Sequence, residues 1–581
     1  MRPIVLLLFC LLLVPGIGHA DTLRLDIRGL DDELHKILET ALVLPSALTE
    51  GGKINLRWLT RYQRQLPALV KNALEPYGYF FTRTESRVIA EEGGNFKLQV
   101  DVTPGDPLRI TSLELNLTGP GADQQELQQL RKGFPLKIGD VLRQDRYEQG
   151  KTSLQQGAVN LGYLDAVFQT HQIQVRLATR QVDIRLELAT GPRYRFGATE
   201  FSGQGDYRER FLHRYLSYRE GDEFSYSLLG QTQRNLFDSD LFRSVNIHPM
   251  TDQAVDDKVP LRIELEPAPR QQLRPGIGYG TDTGARTSLR YRILNLFQLG
   301  HQLQGDLLLG ERKQSLLTTY ILPDQDRLDS QTLLRVGVDR EETDTYVNRK
   351  LFSEGEYQRI LDQGLIGSLF LRLTQEYSHV GEEIDRSKML MPGARLIWRK
   401  VDNPLTPQEG LQVGLELRGA YDKLFSDTSL LQLAGQITDL QPLPHAFSLL
   451  MRLQGGTTWH NDPLKELPIS LRFFAGGDRS VRGYRYQSLG PKNDQGEVVG
   501  GKQLLVANFE LEKHLNQDWG VAVFYDIGNA FDSFANYELK QGAGIGVRRY
   551  TRIGPLRFDL ARQLDTNRAK YRLHLSVGFG W

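Results

Sequence analysis

From about Leu273 to Trp581, apolar and polar side chains alternate with period two almost without a break. Leu369, Leu371 and Leu373 alternate with Phe370, Arg372 and Thr374, and Leu411, Val413, Leu415 and Leu417 with Gln412, Gly414, Glu416 and Arg418. The end repeats the pattern, with Tyr571, Leu573, Leu575, Val577, Phe579 and Trp581 set against Arg572, His574, Ser576, Gly578 and Gly580. Successive strand residues point to opposite faces, so this segment can fold only into strands with one apolar and one polar side. A water-soluble sheet shows the same pattern, and two features favour a membrane barrel over it. The runs are about 9–11 residues, the length of a tilted membrane-crossing strand, and aromatics gather at their ends as interfacial girdles do. Residues 270–581 divided among about 16 strands leave about 19–20 residues for each strand and its connection. A soluble sandwich or propeller fits less well, because the polar face carries too many Arg and Glu for a dry core.

The N-terminal part has another character and repeats itself. Alternating segments at 96–102, 182–188 and 259–265 each close on a proline-containing break, at Pro107, Pro192 and Pro269. In phase with them, Gly78-Tyr79-Phe80, Gly162-Tyr163-Leu164 and Asp240-Leu241-Phe242 each follow a helix-like stretch and precede a strand. Such a mark suits a tight helix-to-strand turn, where glycine permits positive φ. Asp tolerates that conformation less well, but adopts it often enough. Three modules of about 80 residues follow, each strand–helix–helix–strand–strand. The expected boundaries are 21–105, 106–190 and 191–268, with the barrel over 269–581.

Composition narrows the function. Residues 1–20 read as a signal peptide: a basic start, an apolar run, and Gly18-His19-Ala20 as a cleavage site. Cys10, the single cysteine, lies within it, so the remainder can hold no disulfide, zinc–thiolate site or cysteine nucleophile. Lys plus Arg balances Asp plus Glu at 71 each, so no basic excess exists to hold nucleic acid. There is no Gly-x-Ser-x-Gly elbow, His-Glu-x-x-His pair or Walker loop, and the eleven histidines stand singly. Neither an enzyme, a cofactor nor a metal site is expected.

The informative cluster is Ala475-Gly476-Gly477-Asp478-Arg479-Ser480-Val481-Arg482-Gly483-Tyr484, in a long Gly-rich connection reaching about Gly501. Downstream, Glu510 and Asp526 fall on the polar, lumen-facing side of consecutive strands. Here the chain resembles the outer-membrane insertase superfamily, in which POTRA (polypeptide-transport-associated) domains precede a barrel. That family's sixth extracellular loop carries Val-Arg-Gly-Phe/Tyr, matched by Val481, Arg482, Gly483 and Tyr484. The resemblance implies that the arginine meets an acidic residue on each of two late strands, here Glu510 and Asp526. Asp402-Asn403-Pro404-Leu405, with Pro407 and Gly410, resembles the family's mid-barrel turn. The lumen is expected to be partly hydrated, leaving the ion pair stronger than a surface pair and weaker than a dry one.

The resemblance further implies a lateral seam where the first and last strands meet poorly, at Gly276, Ile277, Gly278 and Tyr279 against Leu575, Val577, Gly578, Phe579, Gly580 and Trp581. Glycines weaken strand pairing there, and an incoming strand could add to the exposed edge. Implied partners are unfolded outer-membrane protein clients, an inner-membrane-anchored periplasmic protein docked on the modules, and outer-membrane lipid. The alternative is a pore exporting a dedicated exoprotein, although such members have two modules and a plug helix, which is not found after Ala20.

Overall fold

The computed structural model describes residues 22–577 apart from 46–48, 51–52, 92–94, 381–382, 404–406, 536, 552–553 and 567. The expected signal peptide and the seam residues Gly578, Phe579, Gly580 and Trp581 lie outside the described residues, as do Pro404 and Leu405. The chain forms two compact units. One comprises Met1–Glu200, Ser217–Arg234 and Ile247–Ile263, and the other Phe201–Leu216, Asn235–Asn246 and Glu264–Trp581.

The first module contains β1 (Leu23–Arg28), α1 (Asp32–Ala41), a small hairpin of β2 (Thr49–Glu50) and β3 (Lys53–Ile54), α2 (Leu56–Leu74), β4 (Arg83–Ala90) and β5 (Phe96–Thr103). Asn55 caps α2 by accepting from the backbone N–H groups of Arg57 and Trp58. Leu59, Tyr62, Leu66, Val70 and Leu74 recur at helical spacing and are all buried, in one core with Leu98, Val100 and Val102 of β5. β5 lies between β1, which it meets in parallel, and β4, which it meets antiparallel.

The second module repeats this order with β6 (Ile110–Thr118), α3 (Gln125–Lys132), α4 (Gln144–Asn160), β7 (Val167–Arg176) and β8 (Gln181–Ala189). The third has β9 (Arg195–Ser202), α5 (Glu209–Leu212), α6 (Tyr226–Asp238), β10 (Phe242–Pro249) and β11 (Lys258–Pro267). In each, the last strand is central in a three-stranded sheet.

The three sequence marks are one structural device. Gly78, Gly162 and Asp240 have φ of 90°, 93° and 60°. Beside each, a backbone carbonyl receives the chain entering the next module or the barrel: Gly78 from Leu108, Gly162 from Tyr194 and Leu241 from Ala268, each at 2.8 Å. A Cβ on Gly78 or Gly162 would lie 2.9 Å from the Leu142 carbonyl or 2.6 Å from that of Phe224, so backbone approach also demands glycine. At the third mark Asp240 pairs instead with Arg292 of the barrel, 3.5 Å away.

Sixteen antiparallel strands close into the barrel. They are β12 (Gln271–Gly280), β13 (Gly284–Leu296), β14 (His301–Gly310), β15 (Lys313–Pro323), β16 (Ser330–Glu342), β17 (Tyr346–Asp362), β18 (Leu365–Val380) and β19 (Glu383–Val401). Then come β20 (Gly410–Ala420), β21 (Leu430–Leu443), β22 (Phe447–Trp459), β23 (Gln503–His514), β24 (Trp519–Phe531), β25 (Lys540–Arg549), β26 (Leu556–Gln563) and β27 (Tyr571–Val577). The uniform 9–11 residues expected from the sequence are corrected: β17, β18 and β19 have 17, 16 and 19 residues, while β26 has 8. Alternation reports which face is apolar, and continues past the bilayer wherever strands still pair, so it does not mark where the membrane ends.

The outside is apolar and the inside polar, the reverse of a water-soluble barrel. Leu369, Leu371 and Leu373 are exposed outward, while Phe370 among them and Thr374 beyond them are buried. Exposed Trp398 and Trp519 lie at one end of their strands and Trp459 and Tyr571 at the other. Among the described residues no helix is long and apolar enough to cross a membrane.

Candidate functional site

The chain enters the barrel at Gln271, so the β12–β13 turn and every second turn after it lie at the barrel's opposite end. The sixth of these, residues 460–502, folds inward. Paired backbone bonds close it on itself: Phe473 with Gly501 in both directions at 2.8 Å, and Ala475 with Leu489 at 2.9 and 3.0 Å. Ala475, Val481, Tyr484 and Leu489 form a small apolar core with Val506 of β23.

This packing delivers Arg482 to the wall. Its Nε and Nη2 donate to the two carboxylate oxygens of Asp526 at 2.7 and 2.9 Å, and its backbone N–H adds a third bond at 3.0 Å. Nη1 donates to Glu510 at 2.6 Å and to Asp559 at 3.2 Å. The guanidinium lies 3.5 Å from the centroid of the Phe524 ring. The register explains the convergence: Asn508 faces Asp526 and Glu510 faces Phe524, so both carboxylates share the inner face on diagonal positions. Arg548 of β25 completes the cluster, bonding Glu510 at 2.7 Å and Asp559.

The cluster itself is buried. Arg482, Glu510, Asp526, Arg548 and Asp559 are all more than nine-tenths buried. Arg482 and Arg548 thus bond three carboxylates in a buried site, where removing one partner leaves uncompensated buried charge.

Gly483 turns the chain with φ 96°. Its N–H donates to Nε2 of His574 on β27 at 2.9 Å, and its carbonyl accepts from Gln563 of β26 at 2.7 Å. Gly542 on β25 is a second obligatory glycine, since a Cβ there would lie 2.0 Å from the Arg482 carbonyl. The Tyr484 hydroxyl donates to Asp565 at 2.9 Å. Burial, and then this bond, raise the phenol above its ordinary range.

The same loop reaches both sides of the seam. β12 pairs with β13 over ten positions, but among the described residues its register with β27 is one pair, Gly280 with Ser576. The glycines of β12 leave the β13 side fully registered. Thr281 supports the seam, its N–H donating to the Leu575 carbonyl at 3.0 Å and its hydroxyl accepting from the Leu575 N–H at 3.2 Å. Ile277 is exposed and Tyr279 partly so, facing outward beside the seam. Leu575 and Val577 stand half-buried on β27.

Above this pair, Asp282 of the β12–β13 turn, Asp478 of the loop and His574 of β27 come within 4.8 Å of one another. His and carboxylates are metal-ligand types, but a backbone N–H can only donate, so His574 Nε2 is an acceptor. Nδ1 therefore carries the proton and donates to Asp478, whose own N–H donates to Asp282. With both ring nitrogens engaged, the trio is a hydrogen-bonded clasp between first strand, loop and last strand. Burial, and after it the charge of Asp478, raise the Asp282 carboxyl to about 6.

Sequence reasoning named Arg482, Glu510 and Asp526 and missed Asp559, Arg548, His574 and Gly542. Asp559 and Arg548 carry the same signal as Glu510, inward positions between outward Phe558 and Leu560, and beside Val547. At the mid-barrel turn, Asp402 accepts from the N–H groups of Gln408 and Glu409 at 3.0 and 3.2 Å.

Fold and site together define a class: an outer-membrane barrel preceded by periplasmic POTRA modules. Residues 295–581 match the Omp85 superfamily domain, and residues 24–104 match POTRA domain TamA domain 1. The chain belongs to the Omp85 superfamily. It is similar to the outer membrane protein assembly factor BamA of Nitratidesulfovibrio vulgaris, 23% identical over 62% of this chain and 47% of that protein. It thus spans about half the length of that relative. BamA of Neisseria meningitidis is 21% identical over 90% of this chain and 74% of its own. The crystal structure of BamA from Haemophilus ducreyi lacking POTRA domains 1–3 shares the fold, with a TM-score of 0.70 and 16% identity, covering 81% of this chain and 99% of that one. Superfamily membership agrees with the lack of catalytic motifs.

Proposed function

We propose that the chain is an outer-membrane protein assembly factor of the TamA type. It promotes insertion and secretion of autotransporter-type barrel proteins through the seam between β12 and β27. The observation that supports this reading is that, among the described residues, a single registered pair, Gly280 with Ser576, joins β12 to β27. An edge strand with unpaired N–H and C=O groups is a template for an incoming strand, and such pairing exchange needs no nucleotide. Three modules, the first matching a TamA domain, favour this type over other members. The modules dock a TamB-like inner-membrane-anchored periplasmic protein, most directly on the first.

Arg482 serves here as a latch. Its planar fork bonds several carboxylates at once, which an ammonium cannot do, and it fixes the loop against the late strands bordering the seam. The competing reading, a two-partner-secretion pore for a dedicated exoprotein, needs a clear lumen, and the inward-folded loop argues against it.

The test is site-specific photo-crosslinking in cells from Ile277 and Leu575. Unfolded barrel clients should be captured at both. Capture of an exported protein from lumen positions such as Arg335, with none at the seam, would overturn the proposal.

A further inference from the structure

We infer that the outer surface of β14–β19, at its extracellular end, is a binding site for a phosphorylated outer-leaflet lipid. The site rests on the barrel's orientation, with its modules in the periplasm, and not on the assembly activity proposed above.

One horizontal row of the sheet carries the argument. Arg340 of β16 faces Arg349 of β17 in register, Arg349 faces Tyr377 of β18, and Tyr377 faces Arg386 of β19. All four share the outward parity of exposed Val338, Leu351 and Leu373. Like charges directly opposite each other in a sheet repel and destabilise it; Glu342 offsets Arg340, and Arg349 is left to draw an anion from outside. The row sits at the ends of β16 and β17 away from the chain's entry, two residues before Glu342 and three after Tyr346.

The next row down is apolar on one side and basic on the other: Leu316, Val338 and Leu351, then Gln375 and Lys388. Together the rows line an outward groove of about 960 Å³. Its charge is unbalanced. Arg340 is paired with Glu342 at 2.6 Å, whereas among the described residues Arg349, Arg386 and Lys388 have no carboxylate partner. Three acids line the groove, and each is engaged elsewhere: Asp427 by the Lys388 backbone N–H at 2.6 Å, Asp339 by Lys350 at 3.4 Å and Glu376 by Ser470. The Arg386 guanidinium rests 5.4 Å from the centroid of Tyr377, an aromatic at the level where interfacial rings sit.

Arginine forks match phosphate oxygens, and two exposed arginines immediately above exposed Leu316, Val338 and Leu351, with exposed Lys388 level with them, suit a molecule with a phosphorylated head and acyl chains. A free phosphate would use only the upper row. The occupant is therefore a lipid of the outer leaflet with one or more phosphates on its headgroup.

The experiment uses the full-length protein in nanodiscs of phosphatidylcholine with and without lipid A, read by native mass spectrometry and barrel melting temperature. Wild type should retain lipid A and melt higher with it. The Arg349→Gln, Arg386→Gln, Lys388→Gln variant should lose most of both effects, while Arg549→Gln, outward at the other end, should keep them. Heat-modifiable migration checks folding, and Arg349→Gln alone replaces the triple variant if that fails. Equal retention by wild type and variant would overturn the site. So would displacement of lipid A by millimolar inorganic phosphate, which would mark a free-anion site.

Discussion

The wall formed by β17, β18 and β19 and the seam between β12 and β27 are built from the same alternating sequence, yet they differ in every term that holds strands together. β18 is registered with each neighbour over sixteen positions, and the seam, among the described residues, over one. Inside the wall, Glu354 is shared by Arg335 and Arg372 at 2.6 Å each. Glu356 is shared by Arg335 and Arg395, the latter at 3.2 Å, and Glu416 accepts from Arg395 at 2.7 Å. The seam instead depends on side chains from a loop. Cohesion concentrated in one half of a closed sheet lets the other half part without the barrel unfolding.

Four experiments break or sharpen this contrast. The largest effect should come from tying the seam. Apart from Cys10 the chain has no cysteine, so Gly280→Cys with Ser576→Cys gives a single possible bridge between register partners, at a separation disulfides accept. Client assembly should fall to background when oxidised and return on reduction. The matched pair in the wall, Gly355→Cys with Leu371→Cys, should change nothing. Full activity with a locked seam would remove the functional half of the comparison.

Next is Arg482→Ala, which strands Asp526, leaves Glu510 and Asp559 to Arg548, and should cost about 3–5 kcal/mol. Both barrel melting temperature and client assembly should drop, with Arg482→Lys nearly as harmful. Glu510→Gln with Asp526→Asn should reproduce the defect. Unchanged melting and assembly would refute the latch. Glu354→Gln in the wall should cost about 1–3 kcal/mol and lower the melting temperature while leaving assembly intact, separating stability from function.

The smallest effect is a pH slope. With its carboxyl raised to about 6, Asp282 binds more protons folded than unfolded between about pH 4 and 6. Its contribution is therefore full at the acid end and lost as pH rises through 6. The groups facing it are Asp478, His574 and Arg572, the last 4.0 Å away. Asp282→Asn should flatten this part of the melting temperature profile, and an unchanged slope would remove Asp282 from the clasp.

The fold was legible because two periodicities are hard to counterfeit. Strict alternation fixed the inner and outer faces, as the buried Phe370 and exposed Leu371 illustrate, and the recurring Gly-Tyr marks located turns that now show positive φ. Strand length was not legible, because alternation persists beyond the bilayer. Within the site, Arg482 and its first two carboxylates could be read from motif and parity. Asp559 and Arg548 carried the same parity but no motif to draw attention to them. The clasp could not be read at all, since nothing in a linear chain announces that Asp282, Asp478 and His574 share one hydrogen-bonded chain.

The direction of the Arg482 contacts also sets an order of events. Its partners Glu510, Asp526 and Asp559 lie 28, 44 and 77 residues later in the chain, and Gly483 reaches 91 residues forward to His574. Each of these bonds therefore waits for sequence that arrives after the loop, and loop closure over such spans is among the slow steps of folding. The arginine is a quality check on its own barrel: a chain lacking its last strands can build the long wall but cannot seat Arg482, and only a finished molecule is latched.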